Sequence, residues 1–390
     1  MRSKADAKTN VMQLTIIAGT RPPEFDMSQT SLDFIVNRHD LRDCRFVETP
    51  LAVGEGEVLL AVDRFALTAN NVTYAVAGDS MSYWQFFPAE PGWGRVPVWG
   101  FADVMQSSRD DIAVGERLYG YLPMSTHLIV RPERVNESGF VDGAPHRAER
   151  AAVYNQYTRV AHDPGYSPPN ENAQMLLRPL FMTSFLLDDL LDDNDFFGAR
   201  MVILSSASSK TSLGLAYQLR QNRSGRVEIV GLTSPSNRAF VEGLGYYDAV
   251  IGYDAIDTLD ASTPAVFVDM AGNGKVLRAV HGHFGGALRY SCLVGATHWD
   301  ARAGAGWETL AGPTPELFFA PSRITKRNKD WGRGGIERRV SSAWDAFTAD
   351  AKRWMKVVER RGSAEVERTY LDVLAGKTPP DVGYVLGLRP

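Results

Sequence analysis

The sequence predicts an α/β fold: a parallel, helix-covered sheet preceded by a β-rich unit. Three observations carry that prediction. The run Met201-Val-Ile-Leu-Ser-Ser-Ala-Ser-Ser-Lys-Thr-Ser-Leu-Gly-Leu-Ala216 reads as a buried strand, a tight turn of small residues and the start of a helix. Two further apolar strands, Val227-Glu-Ile-Val-Gly-Leu232 and Ala265-Val-Phe-Val-Asp269, follow in the strand–helix alternation of a parallel sheet covered on both faces. Before them, residues near 12 to 150 carry short strand-like runs separated by Gly, Pro and Asp clusters, the pattern of a compact barrel or sandwich.

Residues up to about 10 hold nothing that can pack and read as a tail. The strands of the first unit are expected at 57–66, 95–104, 110–120 (a turn, then a strand) and 127–132. Tyr154-Asn-Gln-Tyr157 and Asp163-Pro-Gly-Tyr-Ser-Pro-Pro-Asn170 are polar, aromatic and turn-rich, and are read as an insertion over about 151–176. A helix follows at 178–191, with Pro179 near its start. Gly231 and Gly295 fall at the ends of predicted strands, where ligands cross such a sheet. Residues 313–330 read as a basic loop, 340–359 as an amphipathic helix, 366–374 as a helix and 382–388 as a terminal strand. The expected domains are 1–185 (β-rich, with the insertion), 186–320 (the parallel sheet) and 321–390, which returns to the first.

A net charge of −4 gives no global case for a nucleic-acid or membrane partner. Cys44 and Cys292 are too few for a disulfide framework or a cysteine-rich zinc site, and fit a reducing compartment. No run reaches the ~18 apolar residues of a membrane span. The apolar patch Leu14-Thr-Ile-Ile-Ala18 is short for an export signal, so the expected location is cytoplasmic.

Several segments resemble the medium-chain dehydrogenase/reductases, most closely their zinc-free, quinone-oxidoreductase-like branch. They are Glu57-Val-Leu-Leu-Ala-Val62 with Ala69-Asn-Asn-Val-Thr-Tyr-Ala-Val-Ala-Gly78, Val96-Pro-Val-Trp-Gly-Phe-Ala-Asp-Val104 and Ile112-Ala-Val-Gly-Glu-Arg-Leu-Tyr-Gly-Tyr121. Later come Val230-Gly-Leu-Thr-Ser234, Leu244-Gly-Tyr-Tyr-Asp-Ala-Val-Ile-Gly-Tyr253 and Val268-Asp-Met-Ala-Gly272. Ala207-Ser-Ser-Lys-Thr211 together with Arg178-Pro-Leu-Phe181 is similar to a bacterial family of unknown function within or near that branch. The resemblance covers roughly residues 55 to 300. It implies a Rossmann-type domain plus a GroES-like barrel domain, and a homodimer through the sheet edge, with Leu317-Phe-Phe-Ala320 as the candidate edge. The chain departs from the family at three points. No zinc-binding cysteine stands near Asn70 or Asn71, the four-cysteine lobe is absent, and serines with a lysine replace the glycine fingerprint. No metal is expected.

The turn can still take a diphosphate. Ser206, Ser208, Ser209, Thr211 and Ser212 offer hydroxyls and close backbone approach, and Lys210 adds a charge. The alternative is a turn that binds nothing. Lys210-Thr211 resembles the end of a P-loop, but the flanking glycines that motif needs are missing. At the end of the second strand, Leu232-Thr-Ser-Pro-Ser-Asn-Arg238 holds no acid to bond a ribose hydroxyl pair and repel a 2′-phosphate. Ser234, Asn237 and Arg238 could hold that phosphate, so NADP(H) is the expected cofactor. The resemblance sets Tyr253 against the adenosine side. Ala271, Gly272 and Gly295 complete the cofactor set.

With no zinc, a hydroxyl or water must polarise the substrate. The resemblance places Tyr74 in that role, with a packed barrel tyrosine as the alternative; Asn70 or Asn71 could orient a carbonyl oxygen or the cofactor ribose. Tyr154, Asn155, Tyr157 and Arg178 are candidate substrate contacts; for each, a packed or hydrogen-bonded structural role is the alternative. His281 and His283 have no metal-ligand spacing, and Asp188, Asp189, Asp192 and Asp193 read as a solvated helix face. The function expected is NADPH-dependent hydride transfer to a carbonyl or activated alkene of a small organic molecule. A non-catalytic NADPH or anion binder, and a lyase or isomerase on the same fold, remain alternatives.

Overall fold

The computed structural model describes residues 30–163, 165–295, 310–332 and 334–389; the expected tail and the patch at 14–18 lie outside them. The β-rich part comprises, in chain order, β1 (Thr30–Asn37), β2 (Cys44–Pro50), β3 (Val58–Leu67), helix α1 (Ala69–Val76), β4 (Trp93–Gly94) and β5 (Pro97–Ser107). It continues through β6 (Arg117–Pro123), β7 (His127–Val130), β8 (Pro132–Asn136), β9 (Gly139–Asp142) and β10 (Gln156–Arg159). Helix α2 (Glu171–Asp193) leads into β11 (Met201–Leu204), α3 (Lys210–Arg223), β12 (Glu228–Thr233), α4 (Pro235–Leu244) and β13 (Ala249–Gly252). Then follow β14 (Ala265–Asp269), α5 (Gly274–Phe284), β15 (Leu288–Leu293) and β16 (Glu316–Leu317). The chain closes with α6 (Ala320–Trp331), α7 (Gly335–Ala351), β17 (Lys356–Arg361), α8 (Ser363–Leu374) and β18 (Val382–Gly387).

The parallel sheet has the order β13-β12-β11-β14-β15-β16, so the strand order reverses between β11 and β14. Ligands meet such sheets at the C-terminal strand ends beside that reversal. Its apolar strands are buried on both faces. Met201 and Ile203 pack with Phe267 and α5 on one side, while Val202 and Leu204 pack with α2, α3 and α7 on the other. This period-two division of an unbroken apolar run is what a doubly covered strand requires.

The second layer is a larger sheet ordered β17-β18-β3-β5-β6-β10-β9-β8, with β7 also on β3; β2, β1 and β4 form a small antiparallel sheet. Residues 356–387 thus pair with strands of the β-rich part: β18 lies antiparallel to β3, pairing Leu386 with Phe65. Helices α6 and α7 pack instead on α2.

Several local expectations are corrected. Residues 156–159, expected within an insertion, form β10 between β6 and β9. The expected helix start at 178 is displaced: α2 begins at Glu171 and runs through Pro179, whose missing N–H the long packed helix tolerates. Half of the "basic loop" is α6, because Arg323 and Arg327 reach Asp189 and Asp193 on α2 at 2.5–2.9 Å. Those aspartates are therefore not a solvated face, and Asp188 is buried against Arg223. The helix expected at 340–359 ends at Ala351, after which alternating exposure in Lys356–Arg361 marks an edge strand.

Candidate active site

One cleft lies where α1, the turn after β11 and the segment before β18 converge, with a cavity of about 260 Å³. Its walls come from both layers. The β-rich part gives Asn70, Thr73, Tyr74, Met81, Tyr83 and Tyr154. The parallel sheet gives Ser206, Ser208, Ser209, Lys210, Thr211 and Asn237, with Met270 and Gly295 from the neighbouring strand ends. Leu317, Phe318 and the stretch Thr378, Pro379, Pro380 and Val382 close it.

Helix geometry explains which α1 residues reach the cleft. Asn70, Thr73 and Tyr74 stand at i, i+3 and i+4 and so share one face. Asn71 is on another face. It is the third residue of a capping box: its side-chain oxygen accepts from the Thr68 N–H at 2.7 Å and its amide donates to Pro97 at 2.8 Å. Asn71 is not among the residues that line the cleft.

Tyr74 sits in an aromatic cluster. Its ring centroid lies 4.7 Å from Tyr83 and 6.3 Å from Tyr154, and the Tyr83 and Tyr154 hydroxyls are 3.3 Å apart. Burial raises the Tyr74 pKa, against the opposing pull of Trp99, Asn70 and Tyr154. The phenol therefore stays protonated at neutral pH and can donate. Tyr154 is raised well above the usual range, chiefly by burial.

The side chains of Asn155, Tyr157 and Arg178 bond elsewhere than in the cleft. The Asn155 amide donates to the Arg147 carbonyl at 3.0 Å. The Tyr157 hydroxyl donates to the Tyr121 carbonyl at 2.7 Å from inside the sheet core. Arg178 pairs with Asp163 at 3.2 Å outside the cleft. The Asn155 side-chain oxygen is buried with no hydrogen-bond partner among the described residues.

The turn after β11 is built by its own serines. Ser209 caps α3 by accepting from the Ser212 N–H, and the Ser212 hydroxyl donates to the Ser205 carbonyl at 2.9 Å. Ser212 is thus fully enclosed. Ser206 adopts a left-handed backbone (φ 49°), the geometry for which glycine is the usual choice. Its N–H donates to the Tyr253 hydroxyl at 3.0 Å, which assigns Tyr253 to holding the turn. Ala271 and Gly272 direct their N–H groups to Asp269 at 3.0 and 3.2 Å, so both serve the loop itself. At the end of β12, Asn237 donates to the Ser208 hydroxyl at 3.0 Å. Ser234 bonds Ser236, and Arg238 turns to Glu242, its i+4 neighbour, at 2.7 Å. Arg238 and Ser234 do not line the cleft, and Asn237 does.

Two features admit a ligand here. The first-turn amides of α3, at Lys210 and Thr211, have no intrahelical acceptor. A Cβ on Gly295 would stand 2.5 Å from the Met270 carbonyl, so glycine is needed for the strand ends to approach beside the cleft. Lys210 points its ammonium at the Val382 carbonyl, 2.7 Å away. Burial lowers its pKa to about 8, with Asp381 acting in the opposite sense.

Thr73, Tyr83, Thr183 and the 376–382 stretch line the cleft without having been read from the sequence. The i+3 rule applied to Asn70 marks Thr73. No sequence signal ties Pro379-Pro380 to the site. His281 is buried between the Ser291 hydroxyl and the Ala311 carbonyl, at 2.8 Å from each. Among the described residues, no group of three or more His, Cys, Asp or Glu could hold a metal, and no helix is long and apolar enough to cross a membrane.

A parallel sheet with a reversal at the β11 turn, joined to a β-rich layer across a cleft, defines the medium-chain reductase class of fold. The chain belongs to the family described as "Protein of unknown function (DUF2855)", which matches residues 65–379. Both halves of the sequence resemblance are thereby borne out, the fold and the family of unknown function. Solved structures with this fold include CurA from Vibrio vulnificus, solved in complex with NADPH: 12% identity, 92% of this chain and 99% of that one, TM-score 0.58. A putative NADPH:quinone reductase from Bacillus thuringiensis matches at 12% identity, with the same coverage and a TM-score of 0.53. An Etr1p mutant in complex with NADP and crotonyl-CoA matches at 10% identity, covering 92% and 99%, TM-score 0.53. None of the curated proteins compared matches the chain.

Proposed function

We propose that this protein is an NADPH-dependent, zinc-free reductase that transfers hydride to a carbonyl or activated alkene of a small molecule. The observation that carries the reading is the placement of Tyr74, Asn70 and Thr73 across one cleft from the first turn of α3. The fold neighbours, with NADPH, NADP and crotonyl-CoA named in their complexes, support it.

The residues fit a dinucleotide. The Lys210 and Thr211 amides face an anion at the positive end of α3. Asn237 and Ser208 stand beside the end of β12, where no acid opposes a 2′-phosphate. When bound, the cofactor supplies the hydride. The protein's share is to hold the acceptor oxygen and its developing charge. Tyr74, kept protonated by burial, donates to that oxygen, and Asn70 orients it. Met81, Phe318 and Pro379 exclude water from the reacting face. A homodimer through β16 belongs to the same reading: Leu317 there is 58% exposed.

One observation favours a second reading, a binder without turnover. The Ser206, Ala271 and Gly272 amides are already engaged by Tyr253 and Asp269. Titration with NADPH and NADH, followed by cofactor fluorescence, tests the reading. Micromolar NADPH binding with weaker NADH binding supports it. Binding of neither moves the second reading, with another anion, to the front.

A further inference from the structure

Lys210 and Val382 are 172 positions apart, yet the ammonium donates to that carbonyl at 2.7 Å. One stands at the first position of α3, the other at the first position of β18. Both line the cleft, as do Thr378, Pro379 and Pro380 between them. The Val382 N–H in turn donates to the Pro379 carbonyl at 3.1 Å, so the lysine grips a closed turn rather than a loose strand end.

An ammonium has three donors and no acceptor. Among the described residues, Lys210 spends one of them, on Val382. An anion at the α3 turn could use this lysine in two ways. Pulling it off Val382 would strand a desolvated carbonyl. Keeping that bond leaves two donors for the anion and strands nothing. The second arrangement wins on this comparison, and a charge-assisted bond to phosphate strengthens it.

We infer that Lys210 is a positioning residue that bridges the cofactor's anionic group to the Thr378–Val382 wall, so that cofactor binding orders the wall against the substrate. The inference rests on the proposed reading that a dinucleotide meets the turn after β11. It adds a sequence of events: cofactor first, wall second, substrate third. It also explains why lysine stands at this turn position, where a shorter residue would reach the phosphate side but not β18.

Hydrogen–deuterium exchange of the full chain, with and without saturating NADPH, tests the bridge. Peptides spanning 201–223 report occupancy of the turn, and peptides spanning 376–387 report the wall. In the wild type the wall exchanges about fivefold or more slowly with NADPH, the lower end of ordinary coupling between sites. Lys210→Met removes all three donors but keeps the stem. At its own saturating NADPH, its turn is protected and its wall is not. Lys210→Gln, shorter than lysine and uncharged, is the second variant should Lys210→Met fail to fold, and it too loses the slowing at the wall. Equal wall slowing in wild type and variants overturns the bridge, as does a protected turn with an unchanged wall in the wild type. If neither region responds and fluorescence detects no binding, the dinucleotide reading itself fails and the bridge falls with it.

Discussion

The Ser205 hydroxyl donates to the Asp269 carboxylate at 2.5 Å, fastening the ends of β11 and β14 at the point where the strand order reverses. The same hydroxyl oxygen accepts from the Met270 and Ala271 N–H groups at 2.9 and 3.0 Å. Both partners are fully buried. Ser205→Ala therefore leaves a carboxylate short of a donor and an amide short of an acceptor inside the sheet. The expected loss is about 1–3 kcal/mol of unfolding free energy. Urea denaturation checks it, and an unchanged midpoint would show that water replaces the hydroxyl at no cost.

Glu171 holds the start of α2 to the β-rich layer. Its carboxylate, 3% exposed, accepts from Arg117 at 2.6 Å, Tyr166 at 2.7 Å and Arg64 at 2.5 Å. Burial pushes its pKa up, but the Arg117 and Tyr166 bonds and the two guanidinium charges outweigh it, and the net direction is down. A carboxyl that titrates lower when folded stabilises fully above its unfolded pKa, and that contribution disappears as pH falls through the folded value. Glu171→Gln is expected to cost about 1.5–3 kcal/mol at pH 7, since it removes the least exposed of the carboxylates that Arg117 and Arg64 share with Asp63, Asp103 and Glu359. The gap to wild type should shrink as the pH is lowered toward and below the ordinary carboxylate range. Melting temperatures of both proteins between pH 7 and pH 3 measure it; a constant gap would sink the electrostatic account.

The fold was legible in the sequence because the apolar strands Met201–Leu204 and Ala265–Asp269 are short, unbroken and followed by small-residue turns. The neighbours those turns would acquire were less legible. Ser206, Ala271 and Gly272 stand at the strand ends as expected, yet Tyr253 and Asp269 take their amides, through contacts that sequence spacing does not encode. Tyr74 and Tyr157 look alike as sequence, a tyrosine in a polar-aromatic stretch. Only tertiary packing sets one tyrosine on the cleft wall and sends the other's hydroxyl to the Tyr121 carbonyl. Arg238 shows the reverse effect: an i+4 acid, Glu242, was in plain view and claims the guanidinium.

In the proposed reading cofactor choice turns on Asn237, which donates to Ser208 at the mouth of the turn. Asn237→Asp places a charge beside the end of β12 with almost no change of shape. Two like charges at close range near a surface repel by about 1–4 kcal/mol. The ratio of NADPH to NADH affinity should therefore fall about tenfold or more, by weakening NADPH and sparing NADH. Fluorescence titrations of both cofactors with both proteins decide it. Equal loss for the two cofactors would place Asn237 on the shared part of the dinucleotide.

Tyr74 and Tyr157 give the sharpest contrast within one residue type. Loss of the Tyr74 hydroxyl should lower turnover of a small quinone or enone by about 10²-fold or more, the scale of a positioned general acid. NADPH affinity should stay within about twofold, because Tyr74 lines the cleft from α1 rather than from the α3 turn. Tyr157→Phe removes a hydroxyl of equal size from the core, where it bonds the Tyr121 carbonyl. That change should cost about 1 kcal/mol of stability and leave turnover intact. Steady-state rates with 1,4-naphthoquinone, paired with unfolding curves for both variants, separate the two roles. Equal turnover in Tyr74→Phe and wild type would remove the phenol from the chemistry and leave Asn70 or a bound water to polarise the acceptor.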